Sequence, residues 1–233
     1  MTKISPSPDL TAPPRRRAPS QRSLATSRNI LDAAERLFAE RGYDGASVRD
    51  IASAAGAQIA SVSFHHGSKE ALFARVIERR ATELSRLRLE ALETLKAGAG
   101  PVTLEGILSA FLRPYLEKAG LDGCGAGDPQ WLAYARLVAM VSADARWRQI
   151  SERCFDPTAG VFIAEIARLF PNAKPSRIAV AFVFSVSAML SLSTSRWRIE
   201  ALSAASGSGP EPEHQVSDLV RYCEAGMCAA LTD

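Results

Sequence analysis

Two short helical segments of about eight residues stand on either side of Gly56-Ala57, and this pairing constrains the fold more than any other feature of the chain. Ser47 is placed to cap the first, and Asp50, three residues on, makes an acidic variant of a capping box. Val48, Ile51, Ala52 and Ala55 give that segment one apolar face, and Gly56 ends it. The second covers about 58–65 and stops at Gly67. Upstream, Ser27 can cap a helix with apolar residues at Ile30, Leu31, Ala34, Leu37 and Phe38, which Gly42 then stops. Downstream, Ser68 can cap a long helix over about 69–96, striped by Leu72, Phe73, Val76, Ile77, Leu84, Leu87, Ala91, Leu92 and Leu95. A helix followed by two short helices across a tight turn is the layout of a helix-turn-helix. The small residues Ala52, Ala55 and Gly56 let the two short helices approach closely.

The remainder also reads as helices, at about 103–119, 129–142, 144–155, 157–170, 176–202 and 214–231. Asp128-Pro129 and Asp156-Pro157 look like caps followed by a first-turn proline. Polar Gly-rich breaks fall at Gly120–Gly127 and Ala204–Glu213. The chain contains 39 alanines, and no stretch alternates with period two, so the fold class is all-α. The expected organisation is a disordered basic arm over 1–24, a helix-turn-helix domain over 25–75 and a larger helical domain over 76–233. The arm carries five prolines and the run Arg15-Arg16-Arg17, with no apolar core of a secretory signal.

Charge is unevenly spread. Residues 1–96 hold 16 Lys and Arg against 11 Asp and Glu, whereas residues 97–233 hold 12 against 14. A basic front on a slightly acidic remainder suits contact with a polyanion at one end. The four cysteines form no CxxC pair and the adjacent His65 and His66 suit neither helical nor strand ligation, so no metal and no cofactor are expected. Scattered thiols point to a reducing, cytoplasmic setting. The uncharged stretch Ile178–Ser195 approaches the length of a membrane span, but it holds five serines and Thr194, which favours a core or subunit-interface helix.

The second short helix presents Gln58, Ser61, Ser63 and His65 as polar candidates for base contact, since Gln can pair with adenine and Ser with bases or phosphates. The helix starts at Ser47 and Ser68 offer free backbone N–H groups to phosphates, with Arg49 and Lys69 beside them. Similar short helices also pack in bundles that bind no nucleic acid. An enzyme on a helical bundle would have to use groups such as Glu165, Asp156 or His214, which form no recognisable nucleophile or metal arrangement. The third alternative is a membrane-associated protein built on 178–195.

The segment from Arg28 to Tyr43, with Ser47–Ala52, Ala55-Gly56 and Gly67–Leu72, closely resembles the N-terminal domain of the TetR/AcrR family of one-component transcriptional regulators. The stretch Ala60–Glu70 is most similar to a subgroup reading Asn-Tyr-His-Phe at 63–66. This chain has Ser63 where Tyr is common and His66 where Phe is usual, and a buried His needs a partner. The resemblance implies a homodimeric repressor on a palindromic DNA operator. It implies that Ser47 and Lys69 touch phosphates and that the helix carrying Gln58, Ala60, Ser61, Ser63, Phe64 and His65 reads bases. It further implies dimerisation through the last two long helices and release by a small apolar effector. Some of that subgroup respond to fatty acids or acyl derivatives, so a fatty-acid-like compound is expected. Phe111, Tyr115, Trp131, Tyr134, Phe155, Phe162 and Phe182 are the aromatic candidates for lining its pocket.

Overall fold

The structure, a computed structural model, describes residues 20–121, 128–205 and 212–232. Among these there is no strand. The helices are α1 (Gln21–Gly45), α2 (Val48–Ala54), α3 (Ile59–His66), α4 (Lys69–Ala97), α5 (Leu104–Lys118), α6 (Pro129–Ala143), α7 (Arg148–Cys154), α8 (Asp156–Leu169), α9 (Pro175–Thr194), α10 (Arg196–Ala205) and α11 (Pro212–Leu231). A 3₁₀ turn, Ala145–Trp147, joins α6 to α7.

Local chemistry sets most of these bounds. The Ser47 hydroxyl accepts from the Asp50 amide at 3.1 Å and the Asp50 carboxylate accepts from the Ser47 amide, a reciprocal capping box. Ser68, Thr103 and Asp128 cap α4, α5 and α6 through their side chains. Gly42 leaves the helical region (φ 72°, ψ 170°), so the regular part of α1 ends there as expected. Several expectations need correction. The arm expected over 1–24 falls outside the described residues up to 19, but residues 21–24 are helical because Ser20, and not Ser27 as expected, caps α1 by accepting from the Ser23 amide; Ser27 lies inside the helix. Asp156 is inside the first turn of α8 and caps nothing; Phe155 precedes it in helical geometry. The single helix expected at 176–202 divides at Ser195, whose φ and ψ (−118°, 20°) depart from helix. The segment expected as one helix at 144–155 opens as a 3₁₀ turn. Of the expected breaks, 122–127 and 206–211 lie outside the described residues.

The first three helices and the start of α4 share a core of Ile30, Phe38, Ile51, Val62, Leu72 and Phe73, all nearly inaccessible to water. α4 then continues into the second group, where it packs on α5, α7 and α8, while α9 packs on α5, α6, α8 and α11. One long helix therefore belongs to both cores. Glu35, wholly buried on α1, is tied to this helix by Arg79 and by Arg80 Nε at 3.1 Å. Arg79 also reaches Asp32 at 2.6 Å. Burial pushes the Glu35 carboxyl above its ordinary range, and the two arginines oppose that rise. α6 adds a contact from Gln130 to the Asp32 carbonyl. Helix α9 is long and apolar enough to cross a membrane by length and composition alone, with 44% of its most apolar window buried in the protein.

Candidate nucleic-acid interface and ligand cavity

α3 is anchored by its inner side and open on the other. Val62 and His66 are buried, Ser61 and His65 are half-buried, and Gln58, Ile59, Ala60, Ser63 and Phe64 are exposed. Phe64 is 83% exposed, unusual for a large apolar side chain next to a well-filled core. Gln58 is the N-cap residue of α3, is exposed, and makes no capping bond. Beside this face Arg49 is exposed. Lys69 is half-buried, with its Nζ 4.4 Å from the Tyr43 ring centre. The Ser47 hydroxyl donates to Asp50 at 2.7 Å, so its proton is committed within the capping box. The bonds from the Ser47 hydroxyl and amide hold the Asp50 carboxyl below its usual range.

His66, at the position an apolar plug would fill, has the partners its burial demands. Nε2 lies 3.2 Å from the Ser27 carbonyl, which can only accept, so Nε2 carries the proton. Nδ1 is then the lone pair facing Arg75 Nη1 at 3.4 Å. Arg75 also donates to the His65 carbonyl at 2.7 Å at the end of α3. Burial, with Arg75 and His65 nearby, pushes the imidazole below its ordinary value. The neutral ring thus pins the C-terminus of α3 to α1 and α4.

In the second group of helices, α4, α5, α6, α7, α8 and α9 enclose a cavity of about 550 Å³. That lies within the roughly 300–1,000 Å³ of small-molecule sites. Phe111, Tyr115, Tyr134, Phe155 and Phe182 line it. Trp131 and Phe162, expected to do so, do not. Trp131 is covered by the side chains of Arg80 and Lys118 at the α4–α5 edge, and Phe162 lies behind Phe111, ring centres 5.0 Å apart, as plain core. Arg88 also lines the cavity, and sequence reasoning missed it. Its signal was its place in the buried α4 stripe, four residues from both Leu84 and Leu92.

The two regions meet at Trp147. Its ring sits 4.8 Å from Tyr43 and 4.5 Å from Phe73, while Arg146 pairs with Asp44 at 3.0 Å. The 3₁₀ turn that carries Trp147 lies between Ser142 and Ser151, both at the cavity wall. No apolar periodicity marked this residue.

Residues 30–76 match the family described as bacterial regulatory proteins, tetR family. Residues 109–226, about half of the chain, match the tetracyclin repressor-like C-terminal domain. The chain belongs to the TetR family. Among curated relatives, the HTH-type transcriptional repressor Rv3405c of Mycobacterium tuberculosis is 40% identical over 120 residues, 49% of this chain and 60% of that protein. The chain thus spans less than two thirds of that relative's length. The repressor AcnR of Corynebacterium glutamicum is 38% identical over 58 residues, 25% of this chain and 31% of that protein. Solved structures share the fold at low identity. The fatty acid degradation regulator FadR of Bacillus halodurans superimposes with a TM-score of 0.62 at 14% identity, covering 86% of this chain and 95% of that one. FadR of Bacillus subtilis, solved in complex with stearoyl-CoA, gives 0.58 at 15%, covering 85% and 98%.

Proposed function

We propose that this protein is a transcriptional repressor that binds a palindromic DNA operator as a homodimer and is released by a small apolar effector in the helical cavity. The observation that carries the reading is the outward face of α3, where Gln58, Ala60, Ser63 and Phe64 stand exposed on a helix braced from behind by His66 and Val62. Such a face suits a major groove: Gln58 can pair with adenine, Ser63 with a base edge, and Phe64 and Ala60 with thymine methyls. Arg49, Lys69 and the helix starts at Ser47 and Ser68 would meet the phosphates. Arg22 and Arg28, exposed on α1 near the Ser27–His66 contact, add charge to that side.

The dimer reading rests on α9 and α11. They pack together and leave Val180, Val183, Phe184 and Tyr222 exposed, with Tyr222 at 73%. An apolar patch of this kind on two long adjacent helices fits a four-helix junction with a second copy. Two α3 helices would then have to enter major grooves whose centres are roughly 34–36 Å apart, or a multiple of that. An effector that favours a cavity shape with the wrong spacing would weaken operator binding through the Trp147 junction, and the operator would weaken effector binding equally. This work on DNA fits a cytoplasmic protein.

Selection of bound DNA from a random library tests the reading, followed by fluorescence titration on the recovered sequence. A palindromic motif whose affinity falls steeply with salt is expected. Recovery of no motif, or binding that ignores salt, overturns it.

A further inference from the structure

The buried stripe of α4 runs Ile77, Ala81, Leu84, Arg88, Leu92. A cation therefore occupies a position that the helical pattern reserves for an apolar side chain, and it is 7% exposed. Its Nε donates to the Phe111 carbonyl at 2.8 Å, and Nη2 reaches the Met189 sulfur at 3.7 Å. The guanidinium lies 3.7 Å from the centre of the Phe111 ring. Among the described residues Nη1 has no hydrogen-bond partner, and no carboxylate lies within ion-pair reach. The nearest ionisable groups are the Tyr134 and Tyr115 phenols, which burial keeps neutral, and burial lowers the pKa of Arg88 to about 10, so it stays protonated at neutral pH. The other buried formal charges are treated differently: Glu35 meets Arg79 and Arg80, and Glu165 meets Arg168 and Lys96. A lone buried cation costs stability unless an anion meets it.

Next to Arg88 the Tyr134 hydroxyl is also buried with no partner, whereas Tyr115 is satisfied by Ser193 and the Ala135 carbonyl. Arg88 and Tyr134 line the cavity and are both buried, which marks their side as its closed end. Ser142, Asp156, Gly160 and Ser187 are exposed at its other end. The rest of the lining is largely apolar, with Phe155, Ile163, Phe182 and Val186. Two donors with no acceptor at the end of a greasy channel are an incomplete anion site.

We propose that the cavity takes an amphiphilic acid head-first, its carboxylate seated on the Arg88 guanidinium and the Tyr134 hydroxyl and its hydrocarbon body running toward the exposed end. This rests on the reading of the cavity as the effector site. It selects a free acid over an ester, thioester, alcohol or amine of the same length, because only the acid brings a negative charge to the closed end.

The test is calorimetric titration of the full chain with decanoate, 1-decanol and decylammonium, repeated on Arg88→Met and Tyr134→Phe, alongside DNA titration in the presence of each compound. Decanoate should bind roughly 10- to 100-fold more tightly than the other two, the gain of one charge-assisted pair. Arg88→Met should erase that preference while still admitting decanol, and Tyr134→Phe should reduce it severalfold. Thermal melts of both variants confirm that they fold. If decanol binds as well as decanoate and both release DNA, acid recognition is overturned and the effector reading stands. If decanoate binds through Arg88 but leaves DNA affinity unchanged, the acid site stands and the effector reading falls. If none of the three binds, both fall.

Discussion

The helix-turn-helix core and the cavity treat their buried charged groups in opposite ways. In the first, Glu35 is neutralised by two arginines, and His66 has a partner on each nitrogen. In the second, Arg88 has no counter-charge among the described residues and the Tyr134 hydroxyl has no partner. Burying a polar group is costly only where it stays unpaired. The buried charges of the helix-turn-helix end therefore meet partners as folded, although Arg79 Nε and Trp147 Nε1 there do not, and the cavity has given up stability that a ligand can return. Natural chains keep such deficits mostly where they are used.

Breaking the helix-turn-helix end should cost most. Phe73→Ala empties the space between Phe38, Tyr43 and Trp147 and should lower stability by about 3–5 kcal/mol in chemical denaturation. Glu35→Ala should cost less, about 1–3 kcal/mol, because Arg79 and Arg80 retain some access to water. A loss no larger than that of a surface substitution would erase the contrast.

The next effect is one of pH. The folded chain holds His66 neutral, with its pKa below the ordinary 6.5. The unfolded chain takes up that proton first, so stability is flat above about pH 6.5 and falls as pH drops below it, levelling once the folded ring is also protonated. The slope cannot exceed about 1.4 kcal/mol per pH unit for one proton. His66→Phe should flatten that limb in denaturation curves taken between about pH 5 and pH 7. An unchanged limb would place the titrating group elsewhere.

At the cavity end the sign should reverse. Arg88→Met removes an uncompensated buried charge while keeping apolar volume, so the unliganded melt should stay within about 0.5 kcal/mol of wild type or rise. A loss comparable to that of Glu35→Ala would mean that Arg88 is structural. Smallest in stability is Phe64→Ser, within about 0.5 kcal/mol because the ring is exposed. Its DNA affinity should nonetheless drop about tenfold in the fluorescence titration, because serine cannot pack on a thymine methyl as the ring can.

The two ends also differed in how much of them the sequence disclosed. α2 and α3 were legible to within a residue at each end, because Ser47-Asp50, Gly56, Gly67 and Ser68 are local signals whose chemistry acts within one turn. Of the outward candidates Gln58, Ser61, Ser63 and His65, Gln58 and Ser63 are exposed while Ser61 and His65 are half-buried, and Phe64 entered only through the family resemblance. The identity of the cavity wall was not legible in this way. Phe162 and Phe182 occur on helices of similar periodicity, yet one is core and the other lines the space, a distinction made by how six helices tilt against one another. Arg88 was readable in principle as a charge in an apolar stripe, but a long side chain at such a position usually reaches the surface. Trp147 was hidden because a 3₁₀ turn of three residues has no period.

α4 runs unbroken from Lys69, beside the exposed face of α3, to Arg88 at the closed end of the cavity. At 1.5 Å per residue that is close to ~30 Å, several times the ~8 Å over which charge is felt in physiological salt. Whatever passes between the two must then be carried as movement of a stiff rod and not as a field. Ionic strength should set how tightly the duplex is held and leave untouched the factor by which an occupant of the cavity loosens it.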